Sequence, residues 1–188
     1  MKYVLPIFAA LGLAACQPAA DQNNAAPGEA PAAQVTEGAM EPGNQIIALD
    51  SEGLRLVDEA TGSTRLLPFG APQDETLAAV SALAGEPTER GENEECGPGP
   101  LSFANFNNGL RLWFSAGGFS GWESDGEVTT LDGLSAAANR EELEAAGIAE
   151  FTRDTLGDEF EHGGIFGVME PDGQDVALLH VGDNCFMR

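Results

Sequence analysis

Short apolar runs separated by turn residues dominate the first part of the chain beyond residue 43. The runs cover 46–49, 54–57 and 65–69, and segments rich in Asp, Ser, Thr and Gly separate them. Apolar runs of strand length with such boundaries are typical of β-hairpins. The pattern therefore predicts three strands in an antiparallel meander.

A helix is predicted after these strands. Asp74 is the expected N-cap, and Leu77, Val80 and Ala84 recur at helical spacing on one face. Gly85 is the expected C-terminal stop, because glycine readily adopts the left-handed backbone that ends many helices.

Strand signals return in 101–106 and 110–114. Asn108 and Gly109 lie between these two runs, and Asn-Gly favours a tight hairpin because both residues tolerate positive φ. A third run, 119–122, follows a pair of glycines and is predicted to continue the same sheet.

The last third of the chain begins with a second helix signal. Asn139 and Glu142 have the spacing of a capping box, in which each side chain binds a free amide near the helix start. Leu143 and Ala146 supply a modest apolar face, and Gly147 is expected to end the helix.

Two further strands are predicted at 165–169 and 176–181, so a helix followed by a hairpin occurs twice. The chain from 44 to 188 is long enough for one domain with a sizeable core. We predict an α+β fold, mainly antiparallel sheet with two short helices, and a candidate tandem duplication of 70–122 and 130–185.

The N-terminus has the pattern of an exported protein. Residues 1–15 contain a basic residue, an apolar stretch and small residues before Cys16, and the apolar stretch is too short for a spanning helix. The string Leu13-Ala14-Ala15-Cys16 resembles the lipobox of bacterial lipoproteins. This resemblance implies cleavage of 1–15 and acylation of Cys16. An ordinary secretory signal with an incidental Cys16 is the alternative.

Residues 16–43 contain mostly Ala, Pro, Gln, Asn, Gly and Glu, with few large apolar side chains. Such a segment cannot bury enough surface to offset its ordering entropy, so it is predicted to be a disordered tether. By resemblance to lipoprotein sorting rules, Gln17 favours the outer membrane. The expected location is the cell envelope, with the domain facing the periplasm or the exterior.

The charge of the chain limits its partners. Eight basic residues stand against 31 acidic ones, for a formal net charge of −23. Nucleic acid is excluded as a partner because phosphates require clustered Lys or Arg. Acidic headgroups would repel the domain. The protein is therefore expected to attach to the lipid bilayer through acylated Cys16.

Two cysteines remain once Cys16 is assigned to lipid. Cys96 and Cys185 are expected to form a disulfide, because paired thiols in an exported protein oxidise. The sequence contains no Cys-x-x-Cys motif that would favour a redox pair instead.

Catalytic and cofactor motifs are weak. The acidic cluster 154–162 has oxygen ligands suited to calcium but lacks EF-hand spacing, so a solvated acidic face is preferred and calcium binding stays open. No cofactor and no catalytic residue is assigned. A hydrolase would be favoured by a deep pocket in which two acids converge with His162 or His180.

The order of elements across 70–185 resembles that of tandem helix-plus-hairpin envelope proteins, such as the beta-lactamase inhibitor protein and small outer-membrane assembly lipoproteins. This resemblance implies a non-enzymatic lipoprotein that binds an envelope protein or a cell-wall component. Trp113 and Trp122 are candidate binding aromatics if either is exposed. The alternatives are a secreted carboxylate- or calcium-dependent hydrolase and a structural spacer.

Overall fold

The computed structural model describes residues 43–154 and 157–185. The predicted lipobox and all but the end of the predicted tether lie outside these residues. The two helices are α1 Gln73–Ala84 and α2 Arg140–Ala145. The strands are β1 Gln45–Asp50, β2 Gly53–Asp58, β3 Thr64–Pro68, β4 Glu89–Asn93, β5 Leu101–Asn105, β6 Leu110–Ser115, β7 Gly118–Ser124, β8 Thr152–Asp154, β9 Gly157–His162, β10 Ile165–Met169 and β11 Val176–Gly182.

These strands form two antiparallel sheets. A three-stranded sheet has the order β1-β2-β3, and an eight-stranded sheet has the order β4-β5-β6-β7-β11-β10-β9-β8. The predicted α+β class, with mainly antiparallel sheet and two helices, is confirmed.

Each helix precedes four strands rather than a hairpin. After α1 come β4 to β7, after α2 come β8 to β11, and the last strands of the two series pair at the centre of the large sheet. The sequence prediction missed β4, β8 and β9. All five residues of β4 are exposed or half-buried, and β9 buries only Phe160, so neither strand carries a strong apolar signal.

The start of α1 differs from the prediction. Its N-cap is Pro72, which makes no side-chain cap hydrogen bond, and Asp74 lies inside the first turn beside Glu75. Carboxylates there interact favourably with the helix dipole without capping it. The predicted stop is confirmed, because Gly85 follows the helix with a φ of 81°.

The capping box of α2 is confirmed. The Asn139 side chain accepts the Glu142 amide at 3.0 Å, and the Glu142 carboxylate accepts the Asn139 amide at 3.0 Å. The predicted apolar face is only partly correct, because Leu143 is buried whereas Ala146 is exposed and Ile148 takes its place in the core. Neither helix in the described part of the chain is long and apolar enough to span a membrane.

The main core lies on one face of the eight-stranded sheet, called here the inner face. Side chains from both helices and from the three-stranded sheet pack against it. Trp122 is fully buried there, and its indole Nε1 donates to the Asp50 carbonyl at 2.9 Å. This bond ties the large sheet to the turn between β1 and β2.

A smaller cluster lies on the opposite, outer face. It contains Cys96, Leu101 and Trp113, with Phe103 and Cys185 packed against it. Cys96 and Cys185 are bonded as a disulfide across 89 positions, with a Cα–Cα distance of 4.7 Å. The predicted disulfide is therefore confirmed, and it fastens the loop after β4 to the end of β11.

Candidate functional site

A line of side chains crosses the outer face of the large sheet at one level. It takes one residue from each of seven adjacent strands, and each residue is the register partner of the next. We call it the cross-sheet row, and its members are Glu89, Asn105, Arg111, Glu123, His180, Phe166 and Glu161. Cross-strand neighbours on one face of a sheet contact each other, so this register determines which groups interact.

Hydrogen bonds connect the first half of the row. The Asn105 amide donates to Glu89 at 2.9 Å and accepts from Arg111 Nε at 2.6 Å. Arg111 Nη1 in turn donates to Glu123 at 3.3 Å. The arginine is thereby held between an amide and a carboxylate in a fixed orientation.

Aromatic rings form a second support for this arginine. The guanidinium carbon of Arg111 lies 5.6 Å from the ring centroid of Phe103 and 5.5 Å from that of Trp113. A guanidinium at this distance is attracted to the ring quadrupole. Because the Arg111 side chain remains 42% exposed, a positioned cation is available on the outer face.

Glu123 is a buried carboxyl group on this face, with 5% of its surface exposed. Burial raises the pKa of Glu123 above its usual range, and the nearby Arg111 charge opposes that rise only in part. A raised pKa marks a site where the folded protein disfavours the charged form.

The stability of the protein should reflect this shift. The contribution of Glu123 is fully present below the pKa of an unfolded glutamate, about 4.3, and is lost as pH rises through the raised pKa. We therefore expect Glu123→Gln to gain stability relative to the wild type as pH rises from about 4 to 7. Urea unfolding across this pH range measures the difference.

Glu89→Gln, at the exposed end of the same row, is the matched control. Its free energy of unfolding should change with pH in the same way as that of the wild type. If the free energies of unfolding of Glu123→Gln and the wild type changed in parallel with pH, ionisation of Glu123 would not destabilise the folded protein.

Two stacked rings follow Glu123 in the row, before Glu161 at its end. The rings of His180 and Phe166 stack with centroids 5.7 Å apart and an interplanar angle of 25°. His180 is buried and its Nδ1 lies 3.1 Å from Asn184 Nδ2, whereas Phe166 is 49% exposed. A groove of about 350 Å³ opens beside Arg111, Glu123 and Leu178 on the same face.

The two tryptophans do not meet the condition set for binding aromatics. Trp122 is 0% exposed in the main core and Trp113 is 3% exposed beneath the disulfide cluster. Trp113 does lie on the outer face, but the loop that carries Cys96 covers it. Its contribution to the site is the ring surface that it presents to Arg111.

A separate cavity of about 560 Å³ lies on the helix side of the large sheet. Asp132, Glu142 and His162 line it together with small and apolar side chains. His162 Nε2 lies 2.7 Å from Asp132, and the Thr130 hydroxyl also donates to that carboxylate. These hydrogen bonds lower the pKa of Asp132, and the one from Thr130 has a larger effect than the one with His162.

The acidic cluster 154–162 lies on β8 and β9, with 155 and 156 outside the described residues. Asp158 pairs with Arg140 at 2.8 Å and with Arg153 at 2.6 Å, and two arginines repel a metal cation. Within 43–154 and 157–185, no group of three or more His, Cys, Asp or Glu residues is arranged to hold a metal ion.

Sequence reasoning did not single out Arg111, Phe166 or Asp132. For the first two a signal was present, because each alternates with inward apolar residues in a strand and should therefore face outward. Asp132 gave no such signal, since its partner His162 lies 30 positions away.

No protein-family model, curated protein or solved structure matches this chain at a significant level. Function is therefore inferred from the geometry and chemistry of this chain alone.

Proposed function

We propose that this protein is a membrane-anchored envelope lipoprotein whose domain binds a protein partner through the outer face of the large sheet. The anchor is acylated Cys16, after cleavage of 1–15, and the outer membrane is the favoured location. The lipobox Leu13-Ala14-Ala15-Cys16 supports this placement, since two acyl chains hold a protein stably where one does not.

The observation that carries the binding proposal is the cross-sheet row. It presents an exposed Phe166 and a fixed, partly exposed Arg111 on the outer face of the sheet, across from the helices. Aromatic and arginine side chains dominate the energetics of protein interfaces. Because hydrogen bonds and ring contacts already order Arg111, binding would cost little side-chain entropy there.

The order of the helices and strands supports the proposed binding function. One helix and four antiparallel strands occur twice in succession, and the two series meet through β7 and β11. We interpret this order as a tandem duplication over 70–122 and 130–185, longer in each unit than the predicted helix and hairpin. The predicted resemblance to tandem envelope proteins such as the beta-lactamase inhibitor protein and outer-membrane assembly lipoproteins was based on a helix and a hairpin in each unit. Only the twofold repetition of the element order therefore supports a binding module.

Site-specific photocrosslinking in intact cells tests this function. A photoreactive phenylalanine analogue at Phe166 is expected to give one discrete crosslinked species, identified by mass spectrometry, because this side chain would lie inside the interface. The matched control is the same analogue at Ile46, which is also exposed, at 42%, but lies on the small sheet.

Position 46 should give no such species, and Phe166→Ala should weaken recovery of the partner while leaving the protein folded at the assay temperature. Equal crosslinking at both positions, or capture of abundant neighbours only, would contradict the proposal. The second result would favour a structural spacer, and a crosslink to glycan would favour a cell-wall ligand.

A secreted carboxylate-dependent hydrolase is the second candidate. One observation favours it, because Asp132, Glu142 and His162 line a single cavity. Glu142 is already engaged in the capping box, which leaves the pair of Asp132 and His162 for chemistry. Hydrolysis of chromogenic ester or glycoside substrates that Asp132→Asn abolishes would establish this activity.

A further inference from the structure

The helix-side cavity is formed where three parts of the chain meet. They are the segment from Asp132 to Ala138, helix α2, and the end of β9 at His162. Its volume of about 560 Å³ falls within the range of small-molecule sites, roughly 300–1,000 Å³. The cavity is separate from the cross-sheet row, which lies on the outer face.

Part of the lining of this cavity is apolar and belongs to the core. Leu134, Leu143 and Ile148 line it and belong to the main core, with exposures of 7%, 1% and 6%. Ala137 and Ala146 also line the cavity and leave room because their side chains are small. Burial of an apolar group of a ligand against these side chains would therefore contribute favourable binding free energy, and the core would not need to rearrange.

Two acidic side chains also line the cavity, Asp132 and Glu142. Among the described residues that line it, there is no Lys or Arg. The Thr130 hydroxyl and His162 both contact Asp132 and orient its carboxylate. Hydrogen bonds of this kind favour the ionised form, so the group presents a fixed negative charge at the cavity.

We infer that this cavity binds a small organic cation, an amine or amidinium attached to an apolar body. The cationic group would pair with Asp132 and the apolar body would pack on Leu134, Leu143 and Ile148. The formal charge of the chain, −23, raises the local concentration of such cations and disfavours anionic ligands. This site is independent of the proposed partner surface, so either proposal can fail without the other.

Calorimetric titration of the purified protein with two probes tests this inference. Benzamidine and benzamide have nearly the same shape, but only benzamidine is charged. Benzamidine is expected to bind about twofold to fivefold more tightly, because the Asp132 side chain is 60% exposed and water screens an ion pair at such a group. Salt should weaken benzamidine binding and leave benzamide binding unchanged.

Asp132→Asn should abolish this preference, because the amide lacks the charge. Glu141→Gln, on the same helix but outside the cavity lining, is the matched control and should keep the wild-type preference. Ala146→Phe fills the cavity and should weaken both probes, which tests the location without altering Asp132. Equal affinities in the wild type, absence of benzamidine binding, or an unchanged preference in Asp132→Asn would overturn the inference.

Discussion

Replacement of both Cys96 and Cys185 by alanine is expected to lower the free energy of unfolding by about 4 kcal/mol. The bond joins residues 89 positions apart. In the chain-entropy model, closing so long a loop removes many conformations from the unfolded chain, and its loss restores them. A domain of this size should melt roughly 10 °C lower as a result.

The effect should also be local. The loop that holds Cys96 covers Trp113, and in that loop Cys96 accepts the Gly99 amide at 2.9 Å. Without the disulfide, we expect the loop to leave the sheet and expose Trp113, which supports the ring contacts of Arg111. Urea unfolding monitored by tryptophan fluorescence measures both effects.

Reduction of the wild-type disulfide is the matched control, and it should reproduce the stability of the double variant. If the reduced protein and the double variant both unfolded at the wild-type urea concentration, the disulfide would have no role in stabilising this domain.

The strands that the sequence predicted well are those with one face in the core. In β6, Leu110, Leu112 and Phe114 all pack in the main core, as their alternation indicated. The edge strand β4 was missed because neither of its faces is deeply buried. Its exposed polar residues protect the sheet edge from pairing with other chains, and the same polarity removes the signal for a strand.

The cross-sheet row was beyond sequence reasoning for a different reason. Arg111 and Glu123 are 12 positions apart, and His180 follows Glu123 by 57. Their contact depends on the strand order and on the register at each pairing. A slip of one residue at one pairing would turn the side chains of the slipped strand to the opposite face and remove its member from the row. Alternation identified the inward residues, but only the assembled sheet identified the neighbours.

Burial of Trp113 was likewise decided by tertiary structure. Its alternation in β6 places it on the outer face, opposite the neighbouring Leu112 and Phe114. It is buried there because a loop fastened by a distant cysteine packs over it. Sequence patterns predicted the disulfide correctly, but not which side chain the disulfide covers.

Replacement of Cys16 by alanine is expected to move the protein from the membrane fraction to the soluble or uncleaved fraction almost completely. Each buried CH₂ of an acyl chain contributes about 0.8 kcal/mol, so losing both chains removes the proposed anchor. Fractionation of cells with immunoblotting measures this change. The double variant of Cys96 and Cys185 keeps Cys16 and should stay with the membrane, which separates loss of the anchor from loss of stability.

The mass of the N-terminal peptide from protein purified from membranes tests the proposed placement most directly. We expect this peptide to begin at Cys16 and to carry the added mass of two or three acyl chains, with residues 1–15 removed. A peptide that begins at Met1, or one that contains an unmodified Cys16, would contradict the lipoprotein placement.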